Sequence, residues 1–174
     1  MTPRAVLVGL PGTGKTTTGR RLAERLGVAF ADSDDLVEQR AGLSVRAIFE
    51  RDGEAAFREA EADVISAALT AFDGVLALGG GAILAESTRA ALAVSGAPVV
   101  LLRADLSTLA ARVGRAQDRP LLAGDPVGRL AAIAAERAPL YENVATAVID
   151  TDGRPAKRVA ADIDSTLTEL AWRT

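Results

Sequence analysis

A chain of 174 residues, 49% hydrophobic and 25% charged, is large enough for one folded domain with a real core, and its composition is not that of a disordered segment. The net charge of -3 argues against a nucleic-acid partner, which usually meets a basic field. Cysteine and histidine are absent, which excludes disulfides, a thiol nucleophile, a thiolate zinc site and an imidazole base; a metal would be held by oxygen, as magnesium or calcium is, and a proton acceptor would be a carboxylate.

The first element is "RAVLVG" (4–9), a short apolar, β-branched run closed by glycine, as expected of a buried parallel strand. Gly9 to Thr16 then fits G-x-x-x-x-G-K-[ST], and a helix is expected from Lys15 to Leu26, ended by Gly27. With a strand before it and a helix after it, this is a phosphate loop rather than a bare glycine turn. Gly12 and Gly14 allow successive N–H groups to converge on phosphate oxygens, and the helix start adds its positive dipole end. Lys15 supplies a charge for the β and γ phosphates, and the Thr16 hydroxyl is a magnesium ligand. The nucleotide contacts are expected over Gly12, Thr13, Gly14, Lys15, Thr16 and Thr17. No guanine-type signature follows, which favours ATP over GTP.

"VAFAD" (28–32) reads as the second strand, and "ADSDDL" runs from it toward a helix. Asp32, Asp34 and Asp35 thus fall at the carboxyl end of a strand, where open parallel sheets bind ligands. An aspartate there holds magnesium or accepts a hydroxyl proton, or else it caps the helix. A helical region from Leu36 to Phe72 is interrupted near Gly42 and Gly53. Stepped at about 100° per residue, its last part gathers Phe57, Val64, Ile65, Ala68, Leu69 and Phe72 on one face, with Glu61 at the centre and Arg58 within it. Arg58 and Glu61 lie three apart and can orient each other.

"GVLALGGG" (74–81) is the third strand, running into glycines whose backbone N–H groups are placed for close approach to a ligand, or which simply turn the chain. "APVVLLRA" (97–104) is the fourth strand. Gly114 to Pro126, polar and rich in Gly and Pro, reads as a mobile loop. The helix near 128–142 has a stripe of Leu130, Ile133, Ala134, Leu140 and Tyr141 with Arg137 in its middle. Two inward arginines describe either a carboxylate pocket or a pair of structural ion bridges. "TAVIDT" (146–151) is the fifth strand, and Pro155 to Trp172 closes the chain as a helix. Strands alternating with helices imply an α/β, three-layer fold around a parallel sheet. The charge-free runs 74–85 and 90–102 fall short of the roughly 20 residues a membrane helix needs, so a soluble cytoplasmic protein is expected.

The ordered set "GLPGTGKTT", "DSD", "DGEAAFRE", "LGGGA", "RPLL" and "RAPLY" closely resembles the shikimate kinase family over nearly the whole chain. The resemblance implies a single P-loop kinase domain over 1–174, with a five-stranded parallel sheet like that of nucleoside monophosphate kinases. It implies a substrate-binding region at about 32–62 and a lid at about 112–126. The implied reaction moves the γ-phosphoryl of ATP, with Mg2+, to the 3-hydroxyl of shikimate. Asp34 would contact the ring hydroxyls and activate the acceptor. Arg58 and Arg137 would bind the carboxylate, with the backbone of Gly80 and Gly81 nearby. Asp32 would join Thr16 in the magnesium shell. Arg119, in "RPLL", would be the lid arginine on the phosphates, and Arg112 and Arg154 would lie near the adenine. A monomer is expected, with no nucleic-acid or membrane partner. The alternatives are a kinase for another hydroxy acid such as gluconate, or a nucleotide-dependent switch without an acceptor pocket.

Overall fold

Strand β1 (Ala5–Val8) is buried at all its positions, because neighbouring strands flank it and helices cover both of its faces. The computed structural model describes residues 1–113 and 126–172. Four further strands, β2 (Ala29–Asp32), β3 (Gly74–Ala77), β4 (Val99–Arg103) and β5 (Ala147–Asp150), complete a five-stranded sheet in the order β2-β3-β1-β4-β5. Every pairing is parallel, with Val6 beside both Leu76 and Val99, Phe30 beside Val75, and Leu101 beside Val148. Among the described residues the helices are α1 (Lys15–Leu26), α2 (Ser33–Ala41), α3 (Val45–Ala71), α4 (Glu86–Ser95), α5 (Leu106–Val113), α6 (Pro126–Val144) and α7 (Ala156–Ala171), with a 3-10 turn at Ala82–Leu84.

The period of two along the strands divides the core into two layers. Val6, Val8, Leu76, Val99 and Leu101 pack with Ile65 and Leu69 of α3, Leu92 of α4 and Tyr141 of α6. Ala5, Leu7, Val75, Val100 and Leu102 pack on the other face with Leu22 of α1 and with Val159 and Ile163 of α7. The helical periodicity of 54–72 therefore translates directly into packing: Phe57, Val64, Ile65, Ala68 and Leu69 are all buried.

Local punctuation follows glycine. Gly27 and Gly42 end α1 and α2 in the left-handed conformation. Gly53 interrupts α3 at φ 84° and ψ 173°, a region open in practice only to glycine, so the element is two helical pieces joined at a kink. Helix α2 starts earlier than its apolar pattern indicates, at Ser33, because Asp32 caps it: the Asp32 carboxylate accepts from the Asp34 N–H at 3.1 Å. Among the described residues, no helix is long and apolar enough to cross a membrane.

Candidate active site

Most of the singled-out groups that the structure describes gather beyond the carboxyl ends of the strands. Chain direction reverses at β1: the chain goes from β1 toward β2 on one side, and from β3 across to β4 and β5 on the other. Such a reversal opens the crevice in which open α/β sheets take ligands.

Beyond β1, Gly12 and Gly14 adopt φ values of 87° and 88°. Thr13 is buried, and its hydroxyl donates to the Leu10 carbonyl at 2.9 Å, which pins the turn. No side chain caps the start of α1, so its first N–H groups and its dipole face the loop as an anion cradle. The Lys15 ammonium folds back over the loop and donates to the carbonyls of Gly9 (2.7 Å) and Leu10 (3.0 Å). Thr16 and Thr17 are exposed in the first turn of α1. The Thr16 hydroxyl donates to Asp32 Oδ2 at 2.9 Å. Asp32 therefore does two things at once, since its other oxygen caps α2.

Among the described residues there is no group of three or more carboxylates able to hold a metal by themselves. Two adjacent hard oxygens, one hydroxyl and one carboxylate, instead suit magnesium, which keeps most of its shell for water and substrate phosphates.

The second half of the site is built around residues 79–81. A Cβ at Gly79 would stand 2.6 Å from Glu61 Oε1 and 2.7 Å from Asp34 Oδ1, and one at Gly81 would collide with the Arg58 guanidinium. A Cβ at Gly80 would stand 3.0 Å from Pro11 Cδ, so this segment lies directly against the phosphate loop. Only residues without side chains allow two carboxylates and a guanidinium to approach so closely. Asp35, by contrast, is exposed on the far side of its helix turn.

Arg58 donates to Glu61 Oε2 at 2.5 Å, and its guanidinium lies over the Phe57 ring at 5.1 Å. Glu61 is 1% exposed and its Oε1 has no hydrogen-bond partner. Burial pushes its carboxyl above the usual carboxylate range; Arg58 pulls the other way and the Asp34 charge adds to the rise. Burial prevails because the arginine satisfies only one of the two oxygens. Arg137, 8% exposed, donates to the Gly80 carbonyl at 2.8 Å and leaves its Nε unpartnered, as Arg58 does. Buried guanidinium N–H groups without acceptors are costly unless an anion arrives to take them.

Two further residues belong to this cluster and were not singled out from the sequence as polar contributors. Ser33, fully buried, accepts the Gly79 N–H on its hydroxyl at 2.8 Å. Tyr141 donates its hydroxyl to the Gly80 carbonyl at 2.6 Å. The only local hints were their positions inside "DSD" and "RAPLY".

The remaining arginines separate. Arg112, in the last turn of α5, donates to the Gly12 carbonyl (3.2 Å) and the Thr151 carbonyl (3.2 Å), tying the phosphate loop to the end of β5. Arg154 instead donates to the Asp150 carbonyl at 2.9 Å and pairs with Asp162 of α7. Arg119 and most of the expected lid lie outside the described residues.

Fold and site together define a P-loop nucleotide-binding α/β protein with a cluster of arginines and carboxylates beside the phosphate loop. Comparison with known proteins narrows this. The shikimate kinase family model matches residues 11–168. A shikimate kinase of Thermobifida fusca is 51% identical over 158 residues, covering 91% of each chain. The structure of a shikimate kinase from Acinetobacter baumannii in complex with shikimate superposes with a TM-score of 0.91 at 36% identity, covering 98% of this chain and 94% of that one. A gluconokinase from Sinorhizobium meliloti shares the fold alone, with a TM-score of 0.60 at 20% identity and coverage of 99% and 98%. The chain belongs to the shikimate kinase family.

Proposed function

We propose that the protein transfers the γ-phosphoryl group of ATP to the 3-hydroxyl of shikimate, giving shikimate 3-phosphate and ADP. The observation that carries this reading is the convergence of Asp34, Arg58 and Arg137 on one glycine segment that abuts the phosphate loop. A nucleotide-dependent switch has no need of such a pocket, and family membership favours shikimate over gluconate as the acceptor.

In this reading the loop amides and the α1 N-terminus hold the β and γ phosphates, and Lys15 leaves the Gly9 and Leu10 carbonyls to neutralise them. Arg58 and Arg137 clamp the shikimate carboxylate by charge-assisted hydrogen bonds, with Gly80 and Gly81 alongside. The clamp sets the ring so that the 3-hydroxyl faces the phosphorus in line with the leaving oxygen. The hydroxyl oxygen bonds to the γ-phosphorus as the bond to the bridging oxygen breaks; its proton passes to the Asp34 carboxylate, and ADP departs with the bond's electron pair. Magnesium, when bound with the nucleotide by Thr16 and Asp32, supplies further positive charge at the phosphates. The proposed nucleotide contacts run from Gly12 to Thr17 and include Arg112. Arg119 supplies a third cation at the phosphates, a role that rests on the "RPLL" motif alone. Arg154 lies near the adenine in this reading, held by its contacts with Asp150 and Asp162. A monomeric cytoplasmic enzyme accompanies the reading.

The direct test is an assay of ADP release with ATP and magnesium against a panel of hydroxy acids including shikimate and gluconate. Turnover with shikimate, and little with the others, is expected; turnover with gluconate but not shikimate would overturn the assignment.

A further inference from the structure

We infer that Tyr141 is a positioning residue for the acceptor pocket: its hydroxyl fixes the Gly80–Gly81 peptide while Arg137 turns to the substrate carboxylate. The inference rests on the pocket being the acceptor site proposed above. Tyr141 and Arg137 lie one helical turn apart on α6, and both donate to the same oxygen, the Gly80 carbonyl, at 2.6 and 2.8 Å. A carbonyl has two lone pairs, so the two donors coexist.

Their consequences differ once an anion enters. A guanidinium that takes a carboxylate through a forked pair of bonds gives up some of its earlier contacts. Arg137 already carries a buried Nε without an acceptor, so its present hydrogen bonding is incomplete. If Arg137 were the sole donor to Gly80, its turn toward the carboxylate would strand a buried carbonyl and free the peptide to rotate. Tyr141 keeps that carbonyl bonded. It is 3% exposed and packed in the core, so its ring has little freedom to follow the arginine. Burial also pushes its phenol up to about 12, which keeps it a neutral donor across the working pH range.

The peptide plane links this bond to the substrate. The peptide joining Gly80 and Gly81 is trans and planar, so anchoring the Gly80 oxygen toward α6 directs the Gly81 N–H the opposite way. Gly81 lies against the Arg58 guanidinium. Ser33 holds the Gly79 N–H at the other end, so both ends of the segment are tied to helices. In glycine, which has no side chain to restrain rotation, such ties are what define the direction of the N–H groups.

The experiment compares wild type with Tyr141→Phe in steady-state kinetics, calorimetric titration and thermal melting. The KM and Kd for shikimate should rise about three- to tenfold, the loss of one buried hydrogen bond, while the KM for ATP stays within about twofold. A merely structural role would lower the melting temperature without separating the two substrates. Equal effects on both, or none on shikimate, would overturn the inference. Because a destabilised variant would blur the comparison, the wild type supplies a second measurement: the Gly81 amide resonance should move when shikimate is titrated. A stationary Gly81 amide in a wild type that binds shikimate overturns the positioning role alone. A wild type that binds no shikimate overturns the functional reading beneath it.

Discussion

Arg58 and Glu61 meet at 2.5 Å, yet each keeps one buried polar atom without a partner, Nε on the arginine and Oε1 on the glutamate. The pair is strong in geometry and incomplete in hydrogen bonding. Such unmet hydrogen-bonding capacity in a native pair calls for an explanation, and the acceptor carboxylate proposed above would supply one for Arg58.

The first expectation concerns that participant. Arg58→Ala and Arg137→Ala should each weaken shikimate binding on the order of tenfold to a hundredfold, the worth of one charge-assisted contact, with little change in ATP affinity. Calorimetric titration with each ligand reads both. Arg58→Ala leaves Glu61 buried without its cation, so the Arg58→Ala/Glu61→Gln double variant separates lost binding from lost stability. Shikimate affinity unchanged in all three variants would make both arginines structural.

Glu61 also predicts a pH dependence. Its folded carboxyl is raised above the unfolded value, so between the two the native state binds more protons than the unfolded chain. The contribution to stability is therefore greatest below the unfolded value and is lost as pH rises through the folded one. Urea unfolding of wild type and Glu61→Gln at pH 5 and pH 7.5 isolates the effect. The wild type should gain relative to the variant at the lower pH; a gap independent of pH would contradict it.

Asp34→Asn keeps the shape and removes the basicity. Single-turnover phosphoryl transfer should fall by roughly a hundredfold or more, with nucleotide affinity within a few-fold of wild type. If magnesium-dependent ATP binding collapsed while the rate of chemistry held, Asp34 would be serving the metal rather than the acceptor hydroxyl.

For Lys15→Ala the expected loss in kcat is on the order of a hundred- to a thousandfold with the fold intact, as when one fixed charge is removed from a developing transition state. Near-normal turnover in a variant with unchanged circular dichroism and melting temperature would contradict the phosphate role.

The sequence was most informative where information is local. The phosphate loop, the span of α1 and the glycine breaks at 42 and 53 depend on neighbours in the chain, and the structure has them at those positions. The inward Arg58 and Glu61 were legible because a charge at the centre of an apolar stripe breaks the helical pattern. Ser33 and Tyr141 were not legible as polar contributors. Their partners lie 46 and 61 residues away, and a tyrosine in an apolar stripe satisfies the pattern without revealing what its hydroxyl meets. Asp32 had two candidate explanations, capping and site chemistry. Sequence alone could not choose between them because the same side chain caps α2 with one oxygen and reaches Thr16 with the other. Arg154 shows the opposite limit: its nearest partners, Asp150 and Asp162, are a strand end and a helix face that no local pattern links to it.

If Lys15 serves the phosphates as proposed, its folded-back position makes nucleotide capture an exchange. Its ammonium already donates to the carbonyls of Gly9 and Leu10, so ATP would replace an internal cation contact rather than fill a vacant one. The affinity for ATP would then be the difference between two occupied arrangements.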